Sequence, residues 1–206
     1  MKTTYYIVRH GETEGNIKLI IQGHSDSPLT EKGLEQAQLI SEQLSEIPFH
    51  TAYSSDLGRA KQTAEIIIKD REIKLNTTTH LRERCFGTYE MRSYDDLYKH
   101  YIEGYELLKK LPHEERRSYK ISDDIENDEE LWKRFSTFIS ETSGMNEGKT
   151  LLALSHGGYM KALLLELGYG EYEKVLTGRF DNTGYIKLIV EGNQMNVEEV
   201  KGFISS

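Results

Sequence analysis

The sequence Thr4-Tyr5-Tyr6-Ile7-Val8, which runs into Arg9-His10-Gly11, decides the fold class of this chain. Every residue of Thr4–Val8 is β-branched or aromatic, which is typical of a buried strand. A second stretch, Thr150–Leu154, is almost purely apolar and runs into Ser155-His156-Gly157-Gly158, as expected of a central strand covered on both faces. Because ligands of α/β sheets bind beyond the carboxyl ends of strands, the two His-Gly pairs predict one shared site. Two unrelated turn histidines are the alternative.

Strand and helix patterns alternate along the rest of the chain. Further strands are expected at Thr51–Ser54, Ile73–Thr78, Tyr185–Val190 and Met195–Val200, the last two joined by a turn at Glu191-Gly192-Asn193. Helices are expected after the N-cap Thr30, from Asp56, over Glu129–Thr142, and from Gly158 to Leu167. Their inward faces would be Leu34, Ala37, Ile40 and Leu44; Leu57, Ala60, Ala64 and Ile67; and Leu131, Phe135 and Phe138. The polar stretch from Gly11 to Pro28 predicts a loop, and the alternation as a whole predicts an α/β fold with a mainly parallel sheet.

Residues 92–125 differ from this pattern, because they are polar and rich in tyrosine. Pro112 is expected to end a helix there. That helix would have an apolar stripe of Tyr94, Leu97, Tyr101, Tyr105 and Leu108. We interpret the segment as a helical insertion that lies over the main domain and over its site.

Length, charge and cysteine content limit the classes of protein that this chain can represent. Its 206 residues fit one domain over residues 1–206. The net charge of −8 argues against a nucleic acid or an anionic membrane as partner, although arginines in one cleft can still bind a small anion. With Cys85 as its one cysteine and no apolar run long enough for a signal peptide or a membrane span, the chain is expected to be cytoplasmic. The sequence does not reveal its oligomeric state, and a homodimer is one option.

Two arginines favour an anion site near the predicted strand ends. A guanidinium group presents a planar fork of donors that matches the oxygens of a phosphate. Arg9 ends a buried strand, where an unpaired guanidinium would be costly, so we expect an anionic partner there. Arg59 begins the helix after Thr51–Ser54, and taken alone it is better interpreted as a solvated helix residue.

These residues stand in a longer pattern. Tyr6-Ile7-Val8-Arg9-His10-Gly11-Glu12-Thr13 closely resembles the signature of the histidine phosphatase superfamily, which includes the phosphoglycerate mutases. The resemblance continues in the family's order over nearly the whole chain, at Asn16, Gln22-Gly23, Pro28-Leu29-Thr30, Gly33, Tyr53–Ala64, Leu81-Arg82-Glu83, Ser155-His156-Gly157-Gly158 and Asn182-Thr183-Gly184. It is loosest over residues 92–125. It implies a three-layer α/β sandwich with a mixed, mostly parallel sheet and helices on both faces.

The resemblance also implies a role for each matching residue. His10 would be the nucleophile that takes the phosphoryl group, and Glu83 would give a proton to the leaving oxygen. The residues implied at the phosphate are Arg9, Arg59, His156, Asn16, Gln22, Gly23 and Gly157. The implied reaction uses no metal and no cofactor.

Phosphate chemistry agrees with these roles. The transition state of phosphoryl transfer spreads negative charge over three equatorial oxygens, so fixed cations and donors stabilise it. His10 must be neutral to attack, and Arg9 and Arg59 would disfavour a second positive charge on its ring. We expect the other ring nitrogen of His10 to donate to a backbone carbonyl, which would fix the tautomer.

Glu83 must carry a proton when substrate binds, which burial and a nearby phosphate dianion would favour. Taken alone, it is better interpreted as a loop carboxylate paired with Arg82 or Arg84. His24 either faces the pocket or is a solvated loop residue. Its spacing from the other histidines matches no zinc site. We expect Cys85 to be a packing residue.

The same pocket supports two reactions. Water attacking a phosphorylated His10 gives a phosphatase, and a bound hydroxyl gives a mutase. Arg116-Arg117 resembles the arginine pair that holds the phosphoglycerate carboxylate in mutases, and Lys99 lies near a matching lysine. The two arginines would bind a substrate anion, or they would pair with Glu114 and Glu115 on the surface.

Other features favour the phosphatase. The proline-rich segment that follows the arginine pair in mutases is absent, as is their C-terminal extension, and the blocks at Ser155–Gly158 and Asn182–Gly184 look more like the phosphatase branch. We therefore expect a phosphatase of small phosphorylated metabolites, with a mutase as the alternative. An inactive phospho-ligand-binding module is more remote, because binding alone needs neither His10 nor Glu83.

Overall fold

The structure, a computed structural model, describes residues 1–205. Its strands are β1 (Thr3–Arg9), β2 (Phe49–Ser55), β3 (Leu75–Thr78), β4 (Thr150–Ser155), β5 (Arg179–Glu191) and β6 (Gln194–Ile204). Its α-helices are α1 (Glu14–Ile17), α2 (Glu31–Gln43), α3 (Gly58–Ile67), α4 (Tyr94–His100), α5 (Ile102–Leu108), α6 (His113–Ser118), α7 (Asp128–Ser143), α8 (Gly157–Glu166) and α9 (Tyr172–Thr177). Over residues 1–205, every helix is too short or too polar to cross a lipid bilayer.

The six strands form one sheet in the order β3-β2-β4-β1-β5-β6. β1 to β4 run parallel to one another, whereas β5 pairs antiparallel with β1 and with β6, so the sheet is mixed and mostly parallel, as expected. β1 and β4 are neighbours, with Arg9 opposite Ser155. The residues that follow these strands, His10 and His156, therefore leave the sheet side by side.

Helices cover both faces of the sheet, which gives the predicted three layers. On one face, α7 and α8 pack against the sheet through residues such as Phe135 and Leu163. On the other, α2 and α3 pack through residues such as Ile40 and Ala60. The predicted inward faces of α3 and α7 are buried as expected.

The predicted buried face of α2 is wrong at Leu34, the first of its four residues. Leu34 is 37% exposed, whereas Ala37, Ile40 and Leu44 are buried. The first turn of α2 lies so close to the loop after β1 that a Cβ at Gly33 would come within 2.0 Å of the Glu12 carbonyl oxygen. A glycine thus faces inward there, and Leu34 faces solvent.

The insertion at residues 92–125 is helical, but it consists of three short helices, not one long one. Tyr101 leaves helical geometry (φ −110°, ψ 27°) between α4 and α5, and its ring lies 5.3 Å from that of Tyr89. Pro112 precedes α6 as its N-cap residue. Leu97 is buried, while Tyr94, expected to face inward, is 51% exposed. The segment forms one wall of the main cleft, as the prediction of an insertion over the site requires.

Two further short helices escaped the sequence analysis. The predicted loop between Gly11 and Pro28 contains α1, which begins with a capping box between Thr13 and Asn16. The second is α9. A helix of four to six residues is too short to show a periodic apolar face.

Candidate active site

A cleft of about 1170 Å³ opens beyond the carboxyl ends of β1 and β4. It is lined by nearly all of the predicted site residues, namely Arg9, His10, Asn16, Gln22, Gly23, Arg59, Glu83, Arg116 and Gly157. His156 lies directly behind His10, fully buried, with the two ring centroids 5.1 Å apart. The two histidine rings therefore lie against each other, His10 at the cleft and His156 beneath it, and the alternative of two unrelated turn residues is wrong. Arg117 does not line the cleft.

His10 is held in the tautomer that phosphoryl transfer requires. Its Nδ1 lies 2.7 Å from the Gly11 carbonyl oxygen, which can only accept, so Nδ1 carries the proton. Nε2 accepts a long hydrogen bond of 3.3 Å from Arg59 Nε. Burial lowers the pKa of His10 well below its ordinary value, and the charges of Arg59 and Arg9 lower it further. The imidazole is thus neutral, with its Nε2 lone pair facing the cleft.

Arg59 is fixed by the loop before α2. Its side chain is almost fully buried and donates to the carbonyl oxygens of Gly23 (2.9 Å) and Ser25 (2.8 Å) and to Asp26 Oδ1 (2.9 Å). Gly23 adopts φ +53°, and a Cβ there would lie 2.3 Å from Glu90 Oε1, so glycine is required at this turn. The interpretation of Arg59 as a solvated helix residue is wrong.

Arg9 and His156 contribute buried polar atoms that lack partners. Arg9 Nη1 donates to the Phe180 carbonyl oxygen at 2.5 Å, but within residues 1–205 its Nε has no acceptor, and neither ring nitrogen of His156 has a partner. Burial, and then Arg59, lower the pKa of His156 well below its ordinary value. Leaving a buried polar group unpaired costs about 1–3 kcal/mol. The oxygens of a bound anion would accept from Arg9 Nε and from the ring nitrogen of His156 that carries the proton.

Gly157 permits the approach of Arg9 to this pocket. A Cβ at Gly157 would lie 3.0 Å from Arg9 Nε, closer than side chains ordinarily pack. Gly157 also begins α8, so the turn after β4 and the start of the helix lie against the guanidinium group. Gly157 thus serves close packing against Arg9.

Asn16 and Asn182 together fix the floor of the cleft. Asn16 Oδ1 accepts from the Thr13 N–H (3.1 Å) and from Asn182 Nδ2 (3.3 Å), which leaves its own amide group to face the cleft. Asn182 Nδ2 also donates to the His10 carbonyl oxygen at 3.1 Å. Gln22 is occupied with Thr13 and Ser27, so it braces the loop.

Glu83 is held by the backbone at the start of α8. Its Oε1 accepts from the N–H groups of Arg84 and Tyr159, both at 2.8 Å, and its Oε2 accepts from the Gly158 N–H at 3.0 Å. The side chain is half-buried, so the burial expected from the sequence is only partial. Three backbone N–H donors thus hold the carboxyl group of Glu83 in one position at the cleft.

The alternative ion pairs proposed for Glu83 do not form. Arg82 makes a two-bond pair with Asp56, at 2.7 and 2.5 Å, and Arg84 pairs with Asp128. Both guanidinium groups thus pair with other carboxylates, and the carboxyl group of Glu83 lines the cleft.

The loop that carries Arg59's partners is itself anchored by Glu90, which the sequence analysis did not single out. Its carboxylate accepts from the N–H groups of His24 (2.9 Å), Ser25 (2.7 Å) and Phe86 (3.2 Å). Burial would raise the pKa of Glu90, but these hydrogen bonds outweigh it and lower the pKa. Glu90 lies outside every block of the motif pattern, after Leu81-Arg82-Glu83, so no sequence signal pointed to it.

Two other residues had been set aside in the sequence analysis. His24 Nε2 contacts the Glu83 carbonyl oxygen at 2.9 Å, so His24 supports the loop and does not line the cleft. Cys85 is partly exposed, and burial raises the pKa of its thiol. Within residues 1–205, no group of three or more His, Cys, Asp or Glu side chains is placed to hold a metal ion.

The three basic residues that match mutase positions, Arg116, Arg117 and Lys99, do not meet at one place in the structure. Arg116 reaches the cleft, where its Nη1 donates to Asp128 at 3.0 Å. Arg117 pairs instead with the buried Glu166 at 3.0 Å, and Lys99 is exposed on α4 outside the cleft. The predicted surface pairing holds only for Arg117, whose Nη1 lies 3.9 Å from Glu114.

Known proteins resemble this chain over most of its length. The sequence model of the histidine phosphatase superfamily (branch 1) matches residues 5–201. The adenosylcobalamin/alpha-ribazole phosphatase of Salmonella typhimurium is 31% identical over 171 residues, covering 79% of this chain and 78% of the relative. The probable phosphoglycerate mutase GpmB of Salmonella arizonae is 36% identical over 152 residues, covering 74% and 68%. The solved structure of Bacillus stearothermophilus YhfR superposes with a TM-score of 0.84 at 28% identity, over 98% of each chain.

Proposed function

The chain belongs to the histidine phosphatase superfamily, and from that premise we propose that it is a phosphatase of small phosphate monoesters, with His10 as nucleophile and Glu83 as proton donor. One observation carries the proposal. The neutral His10 faces a pocket in which buried polar atoms of Arg9 and His156 have no protein partner. A phosphoryl group offers several oxygens to such atoms while its phosphorus meets the His10 lone pair.

The first step transfers the phosphoryl group to the enzyme. His10 Nε2 attacks phosphorus, the bond from phosphorus to the leaving oxygen breaks, and that oxygen takes the proton of Glu83. The 3.3 Å bond from Arg59 Nε to His10 Nε2 is long, so this donor readily turns to a phosphate oxygen as the lone pair is used. Arg9 and Arg59 stabilise the charge that develops on the equatorial oxygens.

The second step releases phosphate. Glu83, now a carboxylate, takes a proton from water, the water oxygen attacks phosphorus, and the bond to His10 Nε2 breaks, leaving its electron pair on the nitrogen. Backbone N–H groups from Arg84, Gly158 and Tyr159 hold the carboxylate in place for both transfers. One carboxyl group thus serves as acid and then as base.

A phosphoglycerate mutase is the second candidate, because Arg116 lines the cleft and one relative carries that name. Against it, Arg117 pairs with Glu166 and Lys99 lies outside the cleft, so two of the three basic residues that suggested a mutase are not available to substrate. An inactive binding module is disfavoured by the His10 tautomer and by the tethered Glu83, since binding needs neither.

The test is chemical trapping of the phosphorylated enzyme during turnover of p-nitrophenyl phosphate. We expect a phosphoprotein that survives alkali and is lost in acid, and its absence from His10→Ala, with the exposed His100→Ala as matched control. An acid-stable adduct, or turnover by His10→Ala at the wild-type rate, would exclude His10 as the nucleophile. With 3-phosphoglycerate and 2,3-bisphosphoglycerate, release of inorganic phosphate supports the phosphatase, and isomerisation without release supports the mutase.

A further inference from the structure

A second cluster of positive charge lines the same cleft. It consists of Arg84, Arg116 and Lys161. Arg84 directly follows Glu83, and Lys161 lies on α8, one helical turn beyond Gly157. The cluster therefore lies close to the group proposed to protonate the leaving oxygen, and none of its charge is needed for the phosphoryl transfer described above.

Two of these three cations already have a carboxylate partner. Asp128 accepts from Arg84 through Oδ1 and from Arg116 Nη1 through Oδ2, the latter at 3.0 Å. Arg84 Nη1 also donates to the Glu126 carbonyl oxygen at 2.6 Å. Burial would raise the pKa of Asp128, but the two guanidinium groups outweigh it and lower the pKa. One carboxylate thus serves two guanidinium groups.

Lys161 has no such partner. Its Nζ donates to the Leu176 carbonyl oxygen at 3.2 Å, and within residues 1–205 no carboxylate oxygen lies within 4.0 Å of it. Burial lowers the pKa of Lys161, and repulsion from Arg84 and Arg116 lowers it further. An ammonium group has three N–H donors, so one bond to a carbonyl leaves donors for a ligand in the cleft.

We propose that Lys161, with Arg84 beside it, forms a second anion subsite that binds a singly charged group, in the first instance a carboxylate, on the leaving-group side of the substrate. A single charge matches the site because a single cation lacks a partner. The leaving-group side follows from Glu83, which adjoins Arg84 in the chain and whose charge acts on Lys161. This inference rests on the proposed function for the phosphate end of the substrate and adds the chemistry of the other end.

The experiment compares two substrates that differ at one group. 3-Phosphoglycerate carries a carboxylate where glycerol 3-phosphate carries a hydroxymethyl group. A hydrogen bond to a charged group is worth about 1.5–3 kcal/mol, so kcat/KM of the wild type should favour 3-phosphoglycerate by about tenfold or more. Lys161→Met should bring this ratio close to one, and Lys161→Arg should retain it.

The matched control is Lys99→Met, the same substitution at an exposed lysine outside the cleft, which should leave the ratio and both rates unchanged. Calorimetric binding of the same two ligands to His10→Ala, with and without Lys161→Met, gives the same comparison without turnover. A wild type without preference, or a ratio that Lys161→Met does not change, would overturn the subsite even while p-nitrophenyl phosphate is hydrolysed. Failure to hydrolyse p-nitrophenyl phosphate would instead overturn the proposed function, and calorimetry would still decide the subsite.

Discussion

At the scale of single residues, the two ends of the proposed reaction are prepared in opposite ways. The pocket of His10 is left incomplete, because both nitrogens of His156 and the Nε of Arg9 are buried without partners. Glu83, by contrast, already has three backbone donors. In the free enzyme the proposed phosphate pocket therefore lacks acceptor oxygens, whereas Glu83 is already held in position. A bound phosphate would supply those acceptors.

The role of Glu83 can be tested through the leaving group. We expect Glu83→Gln to lower kcat/KM for glycerol 3-phosphate by about 10²–10⁴-fold, because an alkoxide cannot leave without a proton. For p-nitrophenyl phosphate the loss should be far smaller, since p-nitrophenolate is a stable anion. Steady-state kinetics on the two substrates measure this difference, and kcat/KM reports the steps up to the phosphorylated enzyme.

Glu14→Gln is the control for this substitution, since Glu14 is an exposed carboxylate on α1 that pairs with Lys18. It should leave both substrates unaffected. Equal losses for the two leaving groups in Glu83→Gln would mean that Glu83 supports the architecture of the cleft and does not donate the proton.

At the scale of elements, the sequence predicts those parts in which a local pattern decides the structure. Thr30 caps α2 through its side chain, as expected, and the alternation of strands and helices gives the α/β class. The motif residues around β1 and β4 converge because parallel neighbouring strands end at one edge of the sheet. The fold class and the convergence of the motif residues on one cleft were therefore predictable from the sequence.

The rest depends on contacts between distant residues. Leu34 faces outward because Gly33 packs on the Glu12 backbone, a close approach that no periodicity reveals. The insertion breaks at Tyr101, whose ring packs on Tyr89. Arg117, for its part, turns away from the cleft to Glu166, a buried carboxylate on α8. Ion pairs between elements far apart in the chain decide such orientations, and a single sequence does not specify them.

The first turn of α8 offers a test at this scale. A Cβ at Gly158 would lie 2.8 Å from Glu83 Oε1, so Gly158→Ala must displace the carboxylate. We expect kcat/KM for glycerol 3-phosphate to fall by about tenfold or more, with a smaller loss for p-nitrophenyl phosphate. Stability should change little, since alanine is favoured over glycine in a helix by about 1 kcal/mol, while the displaced Glu83 loses backbone hydrogen bonds worth about as much.

Gly144→Ala provides the matched control, because a Cβ at Gly144 would meet no atom within 4 Å. It should change neither rate. Paired kinetics and thermal unfolding of the two variants separate the explanations. If Gly158→Ala loses activity only in proportion to its loss of stability, then steric contact with Glu83 is not the reason that glycine is needed at this position.

At the scale of the whole molecule, charges of both signs meet in one cleft of a net acidic chain. The net charge is −8, and the cleft lining brings Arg9, Arg59, Arg84, Arg116 and Lys161 together with six carboxylates. Two of the basic side chains, Arg9 and Arg59, lower the pKa of two buried histidines, His10 at the cleft surface and His156 behind it. The positive charges that keep His10 neutral for attack therefore also oppose protonation of His10 and His156 in the folded chain in mild acid.

The lowered pKa values of these two histidines predict how the free energy of unfolding depends on pH. The pKa values of His10 and His156 lie well below their ordinary value of about 6.5 because of burial and then Arg59, so below pH ~6.5 the unfolded chain binds protons that the folded chain does not. Stability then rises with pH and is lost as pH falls through this window. Two such histidines account for a loss of about 2 kcal/mol in the free energy of unfolding between pH 6.5 and 5.5.

Urea unfolding in phosphate-free buffer measures this loss. The loss should shrink by that amount in the double variant His10→Gln/His156→Gln but not in the exposed His100→Gln. If the double variant loses as much stability as the wild type over this interval, both imidazoles must take up protons in the folded chain. His10 would then not be the neutral nucleophile on which the proposed first step depends.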